Sequence, residues 1–416
     1  MSETNARTVD TRRQLPPDWR WVRLGEVLRL AGNVLDPQIY PEETFAHYSI
    51  PAFDAGQKPT AELGAAILSS KLLFPAGVVL FSKLNPRIAR VWYVDDDCTL
   101  RRICSTEFLP LLPDTAQLDP RYLSLALRDP RSIGAMRAQV AAATKSRERL
   151  RPDTVLASPI PLPPLPEQKR IAALLNEQMA AVERARAAAQ AQLGEAKALP
   201  AAYLRQVFPG PDQELPAGWR WVRLGDVCEF RHGGTPSKSV PEFWNGTVPW
   251  ASPKDMKALV LEDTEDHVAQ SAVTAGSTGF APASAILTVV RSGILSRHVP
   301  FALTARPMAF NQDIKAIIPD ATRVDVTFLV LVLRSREPTI LANGVKKGPT
   351  VHSFKSGYLE GISVPLPRLT EQRGLAARLN AQMVAAEKLR ADLKSQLDEI
   401  NALPAALLRR AFNGEL

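Results

Sequence analysis

Two stretches of the chain, opening at Pro166 and Thr370, place apolar residues at alternating steps of four and three. In the first these are Ile171, Leu175, Val182, Ala185, Ala189, Ala196 and Leu199; in the second, Leu375, Leu379, Ala386, Leu389, Leu393, Ile400 and Leu403. Such spacing gathers apolar side chains on one stripe of an α-helix, so each stretch is predicted as a long helix with a heptad seam. Gln178 and Gln382 fall on the same seam position. A helix of about 40 residues would run about 60 Å if unbroken. Pro200 and Pro404 stand inside the two stretches, where a kink, or a fresh helix starting with proline, is expected. The simplest arrangement is an antiparallel pair about a pseudo-two-fold axis; the alternative is two separate helices, each packed on its own domain.

Ahead of each helix the period changes to that of strands. PAGVVLFSKLNPRIARV from Pro75 and PASAILTVVRSGILSRHV from Pro282 each read as an apolar strand, a turn and a returning basic strand. STEFLPLLP from Ser105 and NQDIKAIIP from Asn311 look like the next strand, followed by short apolar helix patterns, YLSLALR and FLVLVLR. The chain is therefore duplicated. WRWVRLG stands at Trp19 to Gly25 and again, unchanged, at Trp219 to Gly225; LPPLPEQKRIAALLNEQM from Leu162 answers LPRLTEQRGLAARLNAQM from Leu366. The repeated object is a mixed domain of about 150 residues with a long helix attached, too large for a solenoid unit.

Composition narrows the function classes. With 416 residues, 45% of them hydrophobic, the chain has the make-up of a globular protein with two or three domains. A formal charge of +8 favours phosphate-bearing partners or an anionic surface without choosing between them. No secretory or membrane-spanning pattern stands out, so a cytoplasmic location is expected. Cys98, Cys104 and Cys228 have no CxxC spacing and are read as free thiols. Enzyme signatures fail on inspection. Asn85-Pro86-Arg87-Ile88 lacks the second proline and the aromatic of an amino-methyltransferase loop, and GGTPSKS from Gly233 has Ser237 where a phosphate loop requires glycine. The five histidines form no ligand pair at helical spacing, so no catalytic or metal residue is assigned.

The ordered set of motifs resembles one family, the specificity subunits of type I restriction-modification enzymes. It comprises LPPDWRWVRLGEV and LPAGWRWVRLGDV, SKLNPRIARVWYV, CSTEF, HGGTPSKSVPEFWNGTVPWASPKDM, NQDIKAIIP and the two Leu-Pro-x-Leu-x-Glu-Gln helix starts, and covers nearly the whole chain. The resemblance implies an α+β protein: two pseudo-two-fold-related mixed α/β target-recognition domains separated by a long antiparallel two-helix coiled coil. Expected boundaries are 1–163 for the first recognition domain, 164–208 for the central helix, 209–367 for the second domain and 368–416 for the C-terminal helix. It further implies a non-catalytic chain that binds a bipartite double-stranded DNA target, with spacing set by the helices. Two methyltransferase subunits, using S-adenosylmethionine on adenine N6, and two restriction subunits, using ATP and Mg, would be its partners. No membrane and no cofactor of its own are expected. A coiled-coil DNA-binding adaptor outside a restriction system is the alternative.

The two copies also sort their own candidate contacts. Residues identical in both halves maintain a frame, whereas polar and basic residues that differ are free to read different bases. Lys83, Asn85 and Arg87 in the first domain, and Arg291 and Ser292 in the second, are candidate base readers; Arg90 and Arg297 align and are candidate phosphate contacts. The loops before the helices add Lys145, Arg147 and Arg149, and Lys346, Lys347, His352 and Lys355. Thr235 and Lys238 are added because their segment resembles one that lies near DNA in the family, while Trp244 and Trp250 are read as packing residues. Ile171, Leu175, Val182, Leu199, Leu375, Leu379, Leu389, Leu393, Ile400 and Leu403 are assigned to the coiled coil and partner surface, with the alanine-rich flank of the first helix available for close docking. WRWVRLG, identical in both domains, belongs to the frame.

Overall fold

A computed structural model describes residues 14–138, 148–210 and 213–416. By packing the chain divides into two units: residues up to Gln190 together with Ser395–Leu416, and Ala191–Lys394. Each holds one mixed α/β domain, the proximal half of the long helix that follows it, and the far end of the other long helix.

In the first unit, Arg20–Arg23 pairs antiparallel with Pro159–Leu162, so WRWVRLG is sewn to the strand that leads into the long helix. A four-stranded antiparallel sheet follows, in the order Leu28–Leu30, Phe108–Pro113, Val79–Ser82, Val91–Tyr93. A five-stranded sheet carries Asn33–Leu35, Lys71–Leu73, Arg101–Cys104, Thr44–Tyr48 and Thr60–Leu63, with Thr44–Tyr48 parallel to Arg101–Cys104. Val79, Leu80, Phe81, Phe108 and Leu111 are buried, which explains why these strands read as continuous apolar runs.

The second unit repeats the opening pair, Arg220–Arg223 against Ser363–Leu366, in matching register. Its five-stranded sheet runs Cys228–His232, Ile314–Pro319, Ile286–Val289, Phe301–Thr304, Val260–Leu261. A four-stranded sheet (Asp266–Val268, Val248–Ala251, Met308–Phe310, Gly279–Ala281) and a three-stranded sheet (Arg291–Ser292, His352–Phe354, Val345–Lys346) complete it. Among the described residues of the first unit the three-stranded sheet has no counterpart.

The long helices span Leu165–Val207 and Leu369–Ala411. Both continue through their prolines, so neither Pro200 nor Pro404 starts a new helix. Within the first unit Arg170 donates to the Leu416 carbonyl at 2.7 Å and Arg186 to Asn401 Oδ1 at 2.9 Å. Rising numbers on one helix meet falling numbers on the other, so the two segments run antiparallel.

Ile171, Leu175, Val182, Ala189 and Ala196 are buried, as are Leu379 and Ala386; Leu199, Leu375, Leu393 and Ile400 are half-buried. Leu389 and Leu403, assigned to the seam from sequence, face solvent at 44% and 43% exposure, and Ala185 is exposed too. The reason is geometric. The buried stripe of the second helix steps by sevens through Leu379, Ala386, Leu393 and Ile400, and a residue three places beyond such a position sits about 60° round the helix, on the flank. Gln178 is half-buried, and its Oε1 has no hydrogen-bond partner.

The joint between each domain and its helix is built on a buried glutamine. Gln168 Oε1 accepts the Asp119 N–H at 2.8 Å, and its Nε2 donates to the carbonyls of Gln117 at 2.8 Å and Pro163 at 2.9 Å. Gln372 repeats the set with Asp325 at 2.8 Å, Arg323 at 3.0 Å and Pro367 at 2.9 Å. Asp119 and Asp325 in turn cap the helices Pro120–Ala126 and Val326–Ser335 with their side chains. Beside each joint an aromatic pair seals the core: Tyr122 with Phe412 in the first unit and Phe328 with Phe208 in the second, both with centroids 5.4 Å apart.

Candidate nucleic-acid interface

In the second domain the fold brings separated candidates onto one surface. Arg291 pairs across the sheet with Ser353, and Ser353 on its other side with Lys346; Ser292 pairs with His352. Arg291 is 65% exposed and its Nε lies 4.0 Å from Asp313 Oδ1. The Asp313 carbonyl accepts the backbone N–H of Val290 and of Arg291, which anchors this short strand to the neighbouring strand's turn. One residue earlier, Gln312 Oε1 accepts the hydroxyl of exposed Thr235. Thr235 thus meets the residue next to the one that faces Arg291, and Arg291 and Lys346 lie on either side of Ser353. Lys238, Arg297, Lys347 and Lys355 are exposed as well.

The GGT segment reaches this surface because glycine permits it. A Cβ on Gly233 would stand 1.7 Å from the Asn311 carbonyl oxygen, and one on Gly234 would stand 2.9 Å from that of Ser277. Trp250 Nε1 donates to the Gly234 carbonyl at 3.2 Å and packs edge-on against Trp244 at 5.2 Å, so both tryptophans support the loop from behind.

Behind the ribbon lies a cavity of about 190 Å³ lined by residues that include His232, Lys315, Lys355 and Glu360. Lys315 is buried, hydrogen-bonded to Glu360 and stacked over Phe230 at 5.4 Å. Burial opposes ionisation of Glu360, but the hydrogen bonds from the Lys315 ammonium and from the backbone, with the charge beside them, together outweigh it and hold the carboxyl below its ordinary value.

The first domain groups Lys83, Asn85 and Arg149. Leu84 and Arg149 form a β-bridge, the Lys83 carbonyl accepts the Leu150 N–H, and the Asn85 N–H donates to the Glu148 carbonyl. Arg149 is 61% exposed and donates to Glu107 at 2.6 Å. Glu107 thus holds a cation in the first domain, as Asp313 does at the matching place in the second. Asn85 sits at φ 49°, a left-handed turn position that asparagine tolerates, and its Oδ1 is buried without a partner. Arg87 is exposed. Lys145 and Arg147 lie outside the described residues.

Arg90, read from sequence as a phosphate contact, is engaged elsewhere. Its side chain is only 12% exposed, and Nε and Nη2 donate to the two carboxylate oxygens of Asp54 at 2.7 and 2.8 Å. Those hydrogen bonds hold the Asp54 carboxyl below its ordinary value. The Arg90/Arg297 alignment hid this difference, because its partner, Asp54, is distant in sequence. Sequence reading also missed Ser353, Asp313, Glu107 and both buried glutamines; only the glutamines, repeated inside the EQ motif, carried a signal. Among the described residues no group of three His, Cys, Asp or Glu could hold a metal ion, and no helix is long and apolar enough to cross a membrane.

A family model described as "Type I restriction modification DNA specificity domain" matches residues 16–188 and again residues 216–397. The chain belongs to that family. The specificity subunit of the Escherichia coli EcoR124I/EcoR124II type I restriction enzyme is 39% identical over 161 residues, covering 38% of this chain and 40% of that protein. The chain thus aligns with about two-fifths of that relative's length. The putative MjaX specificity subunit of Methanocaldococcus jannaschii is 23% identical over 401 residues, covering 88% of this chain and 87% of that one. Among solved structures, the HsdS subunit from Thermoanaerobacter tengcongensis matches with a TM-score of 0.70 at 27% identity, covering 97% of this chain and 99% of that one. A chain from work on complex assembly and conformational transition of the type I R-M system matches with a TM-score of 0.79 at 26% identity, covering 97% and 100%. The chain is a type I specificity subunit with two mixed α/β specificity domains and a long helix between them in sequence.

Proposed function

We propose that each domain reads one half of a bipartite double-stranded DNA target, that the long helices set the number of unread base pairs between the halves, and that the chain addresses partner enzymes to that target. The observation that carries this reading is the duplication: two domains share their frame, down to the register of the opening strand pair, yet differ at their exposed basic groups. Ala180, Ala181, Ala187, Ala188 and Ala191 are exposed on the first long helix and offer a flank for close approach of partner helices. In this reading two methyltransferase subunits bind S-adenosylmethionine and methylate adenine N6 after flipping it out. Two restriction subunits consume ATP with Mg, and the assembly works in the cytoplasm.

Two recognition modules on one face of DNA must lie about one helical turn, roughly 34 Å, apart. A pair of helices of 43 residues each is long enough to hold that distance. Inserting four residues after Ala189 and again after Leu393 should lengthen the unread spacer and leave both half-sites unchanged, as mapped by methylome sequencing of a host carrying the chain with its methyltransferase. An unchanged spacer would refute the ruler.

A further inference from the structure

The three-stranded sheet of the second domain divides its polar residues by face. Directly paired residues in a sheet point the same way, and neighbours along a strand point oppositely. The register therefore sets Arg291, Ser353 and Lys346 in one row across three strands, and Ser292, His352, Phe354 and Val345 on the other side.

The two faces differ in what their side chains are free to do. On the second face Val345 is buried, and Phe354 packs against the domain core. Ser292 Oγ accepts the Ile294 N–H and caps the following turn, and His352 Nδ1 accepts the Gly348 N–H. On the first face Arg291 and Lys346 are exposed, with the half-buried Ser353 between them. Strands lie about 4.8 Å apart, so the row is about 10 Å wide, within the roughly 12 Å of a B-form major groove. Asp313 lies beside the Arg291 guanidinium and restricts its direction.

We infer that Ser353 is a specificity-determining residue of the second domain, reading base edges in the major groove between Arg291 and Lys346, while Ser292 and His352 position the ribbon from behind. The inference deepens the DNA-reading role proposed above and rests on it. The chemistry is that of direct readout: a guanidinium fork matches guanine O6 and N7, an ammonium adds a further donor, and a hydroxyl both donates and accepts. Among the described residues of the first domain no such sheet is present, and the row belongs to the second domain.

The test uses the full chain with its partner methyltransferase and maps methylated sites genome-wide. The unaltered protein must first yield a bipartite motif; failure there sinks the proposed function and not this step. Given that motif, S353A should weaken discrimination about fivefold to tenfold at one position of one half-site. R291A and K346A should relax adjoining positions of the same half-site, with the other half-site and the spacer unchanged. H352A and S292A, which loosen the ribbon from behind, should lower the extent of methylation at the site without altering the base preferred at any position. If S353A does not fold, as judged by its thermal transition, S353N serves instead: its amide fork should move the preference at that position toward adenine. An unchanged motif in the serine variant, a change spread over both half-sites, or an equal relaxation in H352A would overturn the inference.

Discussion

The buried glutamines offer a measurement with its own internal control. Replacing Gln168 with methionine, nearly the same length, removes one accepted and two donated hydrogen bonds. A net hydrogen bond contributes about 1 kcal/mol, so three give about 3 kcal/mol. The Asp119 N–H and the Pro163 carbonyl then stay in a dry joint, and an unsatisfied buried polar group adds about 1–3 kcal/mol. A loss of about 5 kcal/mol is expected even at the low end of that range, a large share of the roughly 5–15 kcal/mol that holds a typical domain. At a urea slope of about 2 kcal/mol/M, the midpoint of the affected unit should fall by about 2.5 M. Because Gln372 makes the same three bonds, Gln372→Met should lower the other unit's transition by a similar amount and leave the first in place. Urea titrations followed by the tryptophans of each unit would resolve the two. A loss below about 1 kcal/mol in either variant would refute the view that these amides weld the helix to the domain.

Other outcomes follow from the same geometry. Arg90→Ala should cost the first domain about 1–2 kcal/mol in a thermal melt, through loss of the paired bonds to Asp54, and leave the salt dependence of DNA binding unchanged. Arg297→Ala should lower the slope of log K against log salt by up to about one unit with the melt unaffected; equal slopes in both variants would contradict the sorting. Glu360→Leu alone should destabilise the second domain by about 3 kcal/mol, because Lys315 is left charged and buried, whereas Lys315→Leu with Glu360→Leu should be near neutral. Calorimetry of the single and double variants tests this. Burial pushes the Cys228 thiol up to about 12 and raises that of Cys104 too. An unfolded thiol titrates near ~8.5, so above that pH the unfolded chain releases protons that the native chain keeps, and stability falls as pH rises toward the folded values. Cys228→Ala should soften that alkaline decline, and both native thiols should react with Ellman's reagent only on unfolding.

The sequence carried the duplication, the strand runs and the long helices because these are periodic properties of neighbouring residues. The exposed flank of the second helix was misread for a related reason: Leu389 and Leu403 match a three-four alternation, yet the contact is narrow enough that only the positions seven apart stay covered. Ser353 was invisible. It is one serine among many until Arg291 and Lys346, distant along the chain, arrive on either side of it. The partners Glu107, Asp313 and Asp54 were hidden likewise, since ion pairs 22, 36 and 42 residues apart leave no local pattern.

What an internal repeat preserves and what it varies can now be told apart physically. The preserved elements are those whose hydrogen bonds are all internal: the opening strand pair, the Asp caps and the two glutamine joints. They define how a domain is seated on its helix, and a change there would disturb every target equally. The varied elements present donors outward. In the first domain a single bridge holds Arg149 beside Glu107; in the second, a ribbon absent from the described first domain lines up Arg291, Ser353 and Lys346. The apolar pair Leu109 and Leu156 of the first copy is also replaced by Lys315 and Glu360 beneath that ribbon. If each domain reads one half-site as proposed, a new half-site can be acquired by rebuilding one ribbon and its support, while the joints that fix the domain's seat stay as they are.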